Sequence, residues 1–379
     1  MRSRAEFAAN EVLILEAMNA RHGDALLLHY GTRARPKSIL IDGGALGVYK
    51  ATVRPRLAQL ARERGVWPLP IEHAFVTHLD SDHIRGVLDM IEDRNDPPAA
   101  CWSYWFNSFE DTKAGALPMQ TAVLWAQRMP VRSAALAAVE ASVAEGQSLR
   151  DAVRARRFVV NGGAGSVLVA DGKGVVLDVD PNLNVVLIAP DAAHLRRLAD
   201  DWARKAAPTT AETVAYLDSS VFNLSSLVMV IEAKAPWGRT ARLLLTGDAR
   251  GDHTLAGLHN AGYLDEKGQV HFDLLKVAHH GSDRNHEPVF FSRVTADHYV
   301  ISADGRYGNP SAAVLAWIGE TGRGDYRVWL TNQSNTGFAA LEANIAEAIR
   351  MVPALEGHLR YREAGALSLC VDLLEAQAR

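Results

Sequence analysis

The sequence contains only two cysteines, Cys101 and Cys370, in 379 residues. So few cysteines exclude a disulfide-stapled scaffold and a zinc module built from thiolates. The chain also lacks an apolar run of about 18 residues, the length that a membrane-spanning helix needs. The first residues are basic, but Glu6, Glu11 and Glu16 interrupt any apolar core of a signal peptide. We therefore expect a soluble, cytoplasmic protein without membrane association.

Neither sign of charge dominates the chain. It has 40 Lys and Arg against 44 Asp and Glu, which gives a formal net charge of −4. This slight acidity is unfavourable for a broad surface that wraps nucleic acid, but it is compatible with a local basic channel. A chain of this length can bury about three quarters of its unfolded surface, so it needs no covalent support. The length fits two or three domains, or one long α/β domain with insertions.

Short apolar runs that end in polar clusters predict buried strands, and helical patterns lie between them. The predicted strands are 24–30, 38–44, 74–78, 226–231, 242–248, 273–280 and 298–302. The predicted helices are 51–64, 84–92, 121–144, 192–205 and 311–320. Alternation of strands and helices indicates a layered α/β fold.

The stretch from about 96 to 213 differs from the rest, and we interpret it as an insertion or as the linking half of the sheet. It contains Trp102, Trp105 and Trp125. It also contains an arginine cluster, Arg150, Arg154, Arg156 and Arg157. The cluster predicts either a solvated helix face or a patch that faces phosphate.

The sharpest signal is a group of two histidines and two aspartates directly after a predicted buried strand. The sequence reads Thr77-His78-Leu-Asp80-Ser-Asp82-His83-Ile-Arg-Gly86. From the composition, the pattern His-x-Asp-x-Asp-His has a chance occurrence of roughly 0.002 in the chain. A tight loop lets such side chains point into one cavity, and imidazole and carboxylate both suit Zn²⁺ or Mn²⁺. The alternative is a polar loop before a helix that is capped near Asp82.

Two more polar clusters follow predicted strands. Asp248 ends the run Leu243-Leu-Leu-Thr-Gly-Asp, and His279 and His280 follow the strand that contains Lys276. Alone, Asp248 is compatible with a turn and the histidines with a structural role. Ligands gather where the strands of an α/β sheet end, so three such clusters support one another.

These residues resemble the metallo-β-lactamase superfamily, and within it the hydrolase domain of ComEC-type competence proteins and their stand-alone relatives. The similar stretches are 19–28, 40–44, 78–86, 245–248 and 276–282, together with 223–228. They span most of residues 10–340 in the family's order, and the 100–210 region carries little of the resemblance. The resemblance implies a metallo-β-lactamase-like four-layer αββα sandwich over residues 10–350. Residues 351–379 would be a C-terminal strand and tail of the same domain.

The chain departs from the superfamily at three positions. Asp80 stands where the usual first motif, His-x-His-x-Asp-His, has its second histidine, as in the ComEC-type branch. This exchange makes the site harder and more favourable for Mn²⁺, and it argues against a β-lactamase or glyoxalase. Asn223 is what the chain offers at the position of the third histidine ligand. Asn309 stands where ComEC-type proteins often have histidine in Tyr-Gly-His-Pro.

The resemblance implies two divalent ions, Zn²⁺ or Mn²⁺. Their expected ligands are His78, Asp80, Asp82, His83, Asp248 and one of the pair His279 and His280. In this interpretation His78 and Asp80 hold one ion and Asp248 bridges the two ions. Asp82, His83 and one of the histidine pair hold the other ion. Three aspartates and a bridging hydroxide would balance two divalent cations, and a buried cluster needs near-neutrality.

The remaining site residues are assigned supporting roles. The expected catalytic group consists of Asp42, Asp82, Ser282 and Asn309. Asp42 would hold an imidazole or the hydroxide in place, with a turn aspartate as the alternative. Ser282, Asn285 and Asn309 would donate hydrogen bonds to a phosphate oxygen. Asp24 is expected to form a tight turn and Lys276 to be structural.

The leading functional hypothesis is phosphodiester hydrolysis by hydroxide that two metal ions activate, with DNA as the substrate that the resemblance implies. A second hypothesis is a small or lipid-linked phosphoesterase with a closed pocket lined by the tryptophans of residues 100–130. A third is a degenerate metal-binding scaffold or sensor in a multi-protein system. A protein partner or a homo-oligomer stays an open alternative.

Overall fold

The architecture comes from a computed structural model that describes residues 8–107, 134–163, 167–170, 172–192, 225–236 and 238–374. Its first sheet has seven strands in the order β17-β1-β2-β3-β5-β7-β8. These strands are β1 (Val12–Met18), β2 (Leu26–Thr32), β3 (Arg35–Ile41), β5 (His73–Phe75), β7 (Ser103–Trp105), β8 (Val159–Val160) and β17 (Ser368–Asp372). From β3 to β8, each strand is parallel to its neighbour in the sheet.

The second sheet has eight strands in the order β16-β15-β14-β13-β12-β11-β10-β9. They are β9 (Val175–Asp180), β10 (Leu183–Ala189), β11 (Val228–Lys234), β12 (Thr240–Leu245), β13 (Val270–Lys276), β14 (Val294–Ile301), β15 (Arg327–Leu330) and β16 (Leu359–Tyr361). The strands from β12 to β16 are parallel. A separate pair joins β4 (Leu69–Ile71) to β6 (Ala99–Cys101).

The described α-helices lie outside both sheets. They are α1 (Arg54–Glu63), α2 (Ser81–Glu92), α3 (Ala134–Ala155), α4 (Gly251–Asn260), α5 (Pro288–Arg293), α6 (Ala312–Thr321) and α7 (Ala340–Met351). A π-helical turn (Tyr49–Val53) precedes α1, and short 3₁₀ turns cover Asn161–Gly163, Ala278–Gly281 and Pro353–His358. Among the described helices, none has both the length and the apolar character that crossing a membrane requires.

Three separate apolar clusters show that the layers are stacked in the order α, β, β, α. One cluster joins the first sheet to α1, α2 and α3, and another joins the second sheet to α4, α5, α6 and α7. The third lies between the sheets. In β12, Leu243 and Leu245 face the other sheet while Leu244 faces the helices, because successive strand residues point to opposite faces. The predicted αββα sandwich is confirmed.

Several predicted elements differ from the observed ones at their ends. The third predicted strand is only three residues long (β5), so Thr77 and His78 lie in the loop beyond it. Likewise, β13 ends at Lys276, before the histidine pair. The helix predicted from 84 begins at Ser81, and the one at 311–320 begins after Ser311, whose side chain accepts a hydrogen bond from the Val314 amide. The predicted helix 192–205 and the first part of 121–144 fall outside the described residues.

The described part of the 96–213 region links the two sheets. It supplies β7 and β8 at the edge of the first sheet and β9 and β10 at the edge of the second. Arg154, Arg156 and Arg157 are exposed at the end of α3, just before β8 begins. Parallel strands start at the same sheet edge, so these arginines lie opposite the loops that follow β3 and β5. Their position favours the solvated helix face over the phosphate-facing patch.

A buried polar network lies between the first sheet and α1. Glu16 is fully buried in β1 and accepts hydrogen bonds from His29 Nε2 at 2.9 Å and Arg56 Nε at 2.5 Å. Arg64 donates to His29 and to Ser38 in the same network. Burial by itself raises the pKa of Glu16, but the hydrogen bonds from His29 and Arg56 lower it from 4.5 to about 2.

We expect Glu16→Gln to lower the unfolding free energy at pH 7 by about 3 kcal/mol. The lower pKa of Glu16 in the folded state stabilises that state at every pH at which the carboxyl is ionised in the unfolded chain. That contribution is complete above pH 4.5 and disappears as the pH falls towards 2. Urea unfolding between pH 7 and pH 3 measures the difference. The exposed Glu320→Gln is the control, and a wild-type-to-Gln difference that stays constant with pH would contradict the assignment.

Candidate metal centre

The candidate site lies where strands of both sheets end. The loops after β3 and β5 carry Asp42 and His78, and the loops after β12 and β13 carry Asp248 and the histidine pair. The Leu227 amide, directly before β11, donates to the Thr77 carbonyl at 2.8 Å, which joins the loop after β5 to the second sheet. The clusters predicted to meet at strand ends are thus brought together.

Four imidazoles surround the buried carboxylate of Asp248. The Nε2 atoms of His83 and His280 lie 3.4 Å and 3.5 Å from its oxygens, and those of His279 and His78 lie at 3.8 Å and 3.9 Å. His280 Nε2 also lies 3.4 Å from Asp82. The Asp248 carboxylate therefore lies at the centre of four imidazole rings, each of which presents its Nε2 atom to it.

The same nitrogen faces inward in each ring because Nδ1 is engaged elsewhere. His83 Nδ1 donates to Asp42 at 2.9 Å, His280 Nδ1 to the Ser302 carbonyl at 2.9 Å, and His279 Nδ1 to Asn285 Oδ1 at 2.6 Å. His78 Nδ1 lies 3.1 Å from Thr77 Oγ1, whose own proton goes to Asp42. Such partners fix the tautomer and leave the Nε2 lone pair free for a ligand.

Asp42 organises the first-sheet half of the site. Its Oδ1 accepts from the Thr77 amide at 2.8 Å, and its Oδ2 accepts from the Thr77 hydroxyl at 2.8 Å and from His83. The residue is 1% exposed and has a positive φ of 59°. Of its two predicted roles, the geometry favours the carboxylate that orients an imidazole.

Close backbone contacts hold α2 against these loops. A Cβ on Gly86 would lie 1.8 Å from the Gly43 carbonyl oxygen, and a Cβ on Gly23 would lie 1.9 Å from the Asp82 carbonyl oxygen. Only glycine permits these approaches. They place the first turn of α2, with Asp82 and His83, directly beside the ends of the sheet.

Two site residues were assigned other roles by the sequence. Asp24, expected in a tight turn, is fully buried, forms an ion pair with Lys276 and lies 3.5 Å from His280 Nδ1. Lys276 Nζ also lies 3.9 Å from Asp248. The signal that could have found this pair is that both residues lie in stretches that resemble the superfamily, 19–28 and 276–282.

The cluster carries more negative than positive fixed charge. Four carboxylates, Asp24, Asp42, Asp82 and Asp248, face one ammonium, Lys276. Burial by itself lowers the pKa of His280, but Asp248 and Asp24 raise it to about 10. Burial lowers the pKa of His78 to about 3. Protons on some ring nitrogens thus offset part of the negative charge of this cluster, which contains fewer cationic than anionic groups.

The donor set fits divalent metal ions. The Nε2 atoms of His78, His83 and His280 and the Oδ1 atom of Asp248 are buried and have no hydrogen-bond partner among the described residues. Ligand atoms about 2.1 Å from a tetrahedral ion stand about 3.4 Å apart, close to the separations observed here. Three candidate ligand groups contain His83: one with His78 and Asp248, one with Asp82 and His280, and one with Asp24 and Asp42. The structure therefore places His280, rather than His279, beside Asp82.

The other predicted residues lie at the edge of this cluster. Asp80 is at the N-cap position of α2, outside the close groups of acidic and imidazole ligands in the described chain, and its role as a ligand stays a prediction.

Ser282 Oγ accepts from the Arg284 amide at 3.3 Å. Asn309 Nδ2 donates to the His279 carbonyl at 3.3 Å. Asn285 Nδ2 donates to the Asp248 carbonyl at 3.0 Å, so it positions protein groups. Asn223 lies outside the described residues.

Asp42→Asn should weaken metal binding about 10- to 100-fold, because an amide does not orient and polarise His83 as a carboxylate does. Competition with a chromogenic chelator measures the affinity. Asp180→Asn is the control, since Asp180 is a buried carboxylate that pairs with Lys37 instead. Equal affinities for wild type and Asp42→Asn would contradict the role assigned to Asp42.

Removal of one partner of the Asp24–Lys276 pair should cost about 3–5 kcal/mol of unfolding free energy in metal-free protein, because the other charge stays buried and unpaired. Lys276→Met and Asp24→Asn test the two sides. The double variant should be more stable than the sum of the single effects implies, as chemical denaturation would show. Strict additivity would mean that the two charges do not stabilise each other.

The comparisons with known proteins agree with this arrangement. The sequence model of the metallo-beta-lactamase superfamily matches residues 35–178, which include Asp42 and the motif from His78 to His83. A search of curated proteins found no match. The ligands that follow β12 and β13 lie beyond the matched range, yet they converge on the same cluster. Residues 35–178 are therefore similar to the metallo-beta-lactamase superfamily, whose members are mostly metal-dependent hydrolases.

Proposed function

We propose that the protein is a metal-dependent phosphodiesterase of the ComEC-type branch, with DNA as its substrate. The observation that carries the proposal is the convergence of four Nε2 atoms on Asp248, beside Asp82. A ligand set that combines imidazoles with several carboxylates suits Mn²⁺ or Zn²⁺, which bind the oxygen atoms of phosphate substrates. Two ions bound here would lower the pKa of a water molecule and stabilise charge on the attacking and leaving oxygens.

The chain's own residues prepare this chemistry. His78, His83 and Asp248 would hold one ion, and Asp82 and His280 would hold the other. Asp42 keeps His83 in the tautomer that presents Nε2 to the cluster. Lys276 neutralises Asp24 behind the ligands, so that Asp82 and Asp248 stay available to offset part of the positive charge of the ions.

The second hypothesis from the sequence, a closed pocket lined by tryptophans, has less support. Trp105 is 3% exposed and stacks on Phe75 between the two sheets. Trp102 precedes β7, at the sheet edge opposite the site. Trp125 lies outside the described residues. The scaffold hypothesis is disfavoured by the unpartnered inward Nε2 atoms, because a degenerate site has no need to keep them.

Metal content and DNA cleavage in Mn²⁺, measured on one preparation, test the proposal. We expect about two divalent ions per wild-type chain. Asp82→Ala/His83→Ala should lose metal and reduce cleavage about a thousandfold, equivalent to about 4 kcal/mol of transition-state stabilisation.

The matched control is His271→Ala/Asp297→Ala, which removes an exposed histidine–aspartate pair near the start of β13, at the far sheet edge. It should keep both metal and cleavage. Metal binding without cleavage of single- or double-stranded DNA would contradict the nuclease assignment. A protein that binds no metal would contradict the whole proposal.

A further inference from the structure

An exposed aromatic ring stands beside the metal centre on a short turn between β14 and α6. Tyr307 is 66% exposed, and the Arg306 guanidinium lies 5.6 Å from the centre of its ring. Tyrosine is enriched at binding surfaces because its ring combines a large apolar face with a polar tip. None of the roles assigned above to the metal centre uses Tyr307 or Arg306.

The turn is built to hold this ring in place. The Gly308 amide donates to the Gly305 carbonyl at 3.0 Å, and the Arg306 amide donates to Asp304 Oδ1 at 3.0 Å. Asn344 on α7 donates its side-chain amide to the Gly308 carbonyl at 2.7 Å and to the Pro310 carbonyl at 3.0 Å. The backbone that carries the ring is therefore tied both to itself and to a helix.

The same turn lies against the ligands of the metal centre. The Ser311 amide donates to the Gly281 carbonyl at 3.0 Å, one residue beyond His280. On the other side, the His22 ring contacts Tyr307 with a centroid distance of 5.4 Å and nearly perpendicular planes. The next residue, Gly23, packs against the Asp82 carbonyl. Partial burial raises the pKa of Tyr307, and the charges of Asp82 and Asp80 raise it further, as expected beside the acidic cluster.

We propose that Tyr307, supported by Arg306 and His22, is a stacking platform for a nucleobase next to the phosphodiester at the metal centre. This inference rests on the proposed function and names the substrate class: a nucleic acid strand or end whose base adjoins the scissile phosphate. Aromatic rings bind bases of any sequence because every base has a π-face, and a nearby guanidinium adds a cationic contact. An exposed ring held by backbone hydrogen bonds loses little conformational freedom on binding.

The nucleobase explains features that phosphate alone does not. A phosphate needs cations and donors, which the metals, Arg306 and the Tyr307 hydroxyl could supply, but it makes no use of the exposed face of the ring. Base stacking, in contrast, uses the face of the ring and tolerates its edge contact with His22. One tyrosine also suits a single unpaired base better than a duplex, whose bases are already stacked.

The test compares a short deoxythymidine oligonucleotide with an abasic oligonucleotide that has the same phosphates. In the Mn²⁺-loaded protein, Tyr307→Ala should raise KM for the thymidine strand about tenfold and leave kcat and the abasic strand unaffected. Fluorescence anisotropy in the presence of a chelator gives a second readout, because base preference in binding then does not depend on cleavage. Tyr307→Phe and Tyr307→Trp should retain the preference for bases.

The matched control is Trp102→Ala, which removes an aromatic ring of nearly equal exposure, 67%, at the opposite sheet edge. It should leave both KM and binding unchanged. Cleavage of both strands with equal KM by the wild type, or an unchanged base preference in Tyr307→Ala, would overturn the stacking platform and leave the nuclease proposal intact. Base-dependent binding that disappears in Tyr307→Ala, without cleavage of any strand, would support the platform and overturn only the hydrolase.

Discussion

The buried carboxylate of Asp248, approached by the Nε2 atoms of four histidines, is the constraint on which the rest of this structure depends. Its cluster contains more carboxylates than fixed cations, and an unbalanced charge is expensive away from water. The fold compensates with Lys276 against Asp24 and with protons on some of the rings. Divalent ions would supply the missing positive charge, so metal binding and the stability of this part of the fold depend on each other.

The architecture brings that charge together by aligning the ends of strands from both sheets. The Leu227–Thr77 hydrogen bond joins the loop after β5 to the segment before β11, and the contact between Gly43 and Gly86 draws α2 against the first sheet. A side chain at either glycine would push Asp82 and His83 away from the carboxylate that they share with the second sheet. The 305–310 turn lies beside these loops and carries its own aromatic and cationic side chains.

The αββα layers followed from the resemblance to the superfamily. The first motif indicated where a site would form because it puts its chemistry in six consecutive residues. Asp42 and Asp248 followed from their positions after apolar strands. The Asp24–Lys276 pair could not be predicted in this way. A charged residue at the end of a strand is usually interpreted as solvated, and only the three-dimensional contact shows its partner. Strand β1 was missed for a similar reason: Glu16 looks like an interruption in the sequence, but His29 and Arg56 satisfy it inside the sheet. The role proposed for the exposed ring of Tyr307 could not be predicted from the sequence, because it depends on the contact with His22 that only the structure shows.

Anomalous diffraction from crystals of the Mn²⁺-loaded protein tests most directly whether the residues around Asp248 form a metal centre. Two manganese peaks are expected about 3.5–4 Å apart, both adjacent to the Asp248 carboxylate. One should lie within coordination distance of His78 and the other within that distance of His280. A map without a peak at Asp248, or with manganese only at surface carboxylates, would contradict the assignment of His78, His83, His280 and Asp248 as metal ligands.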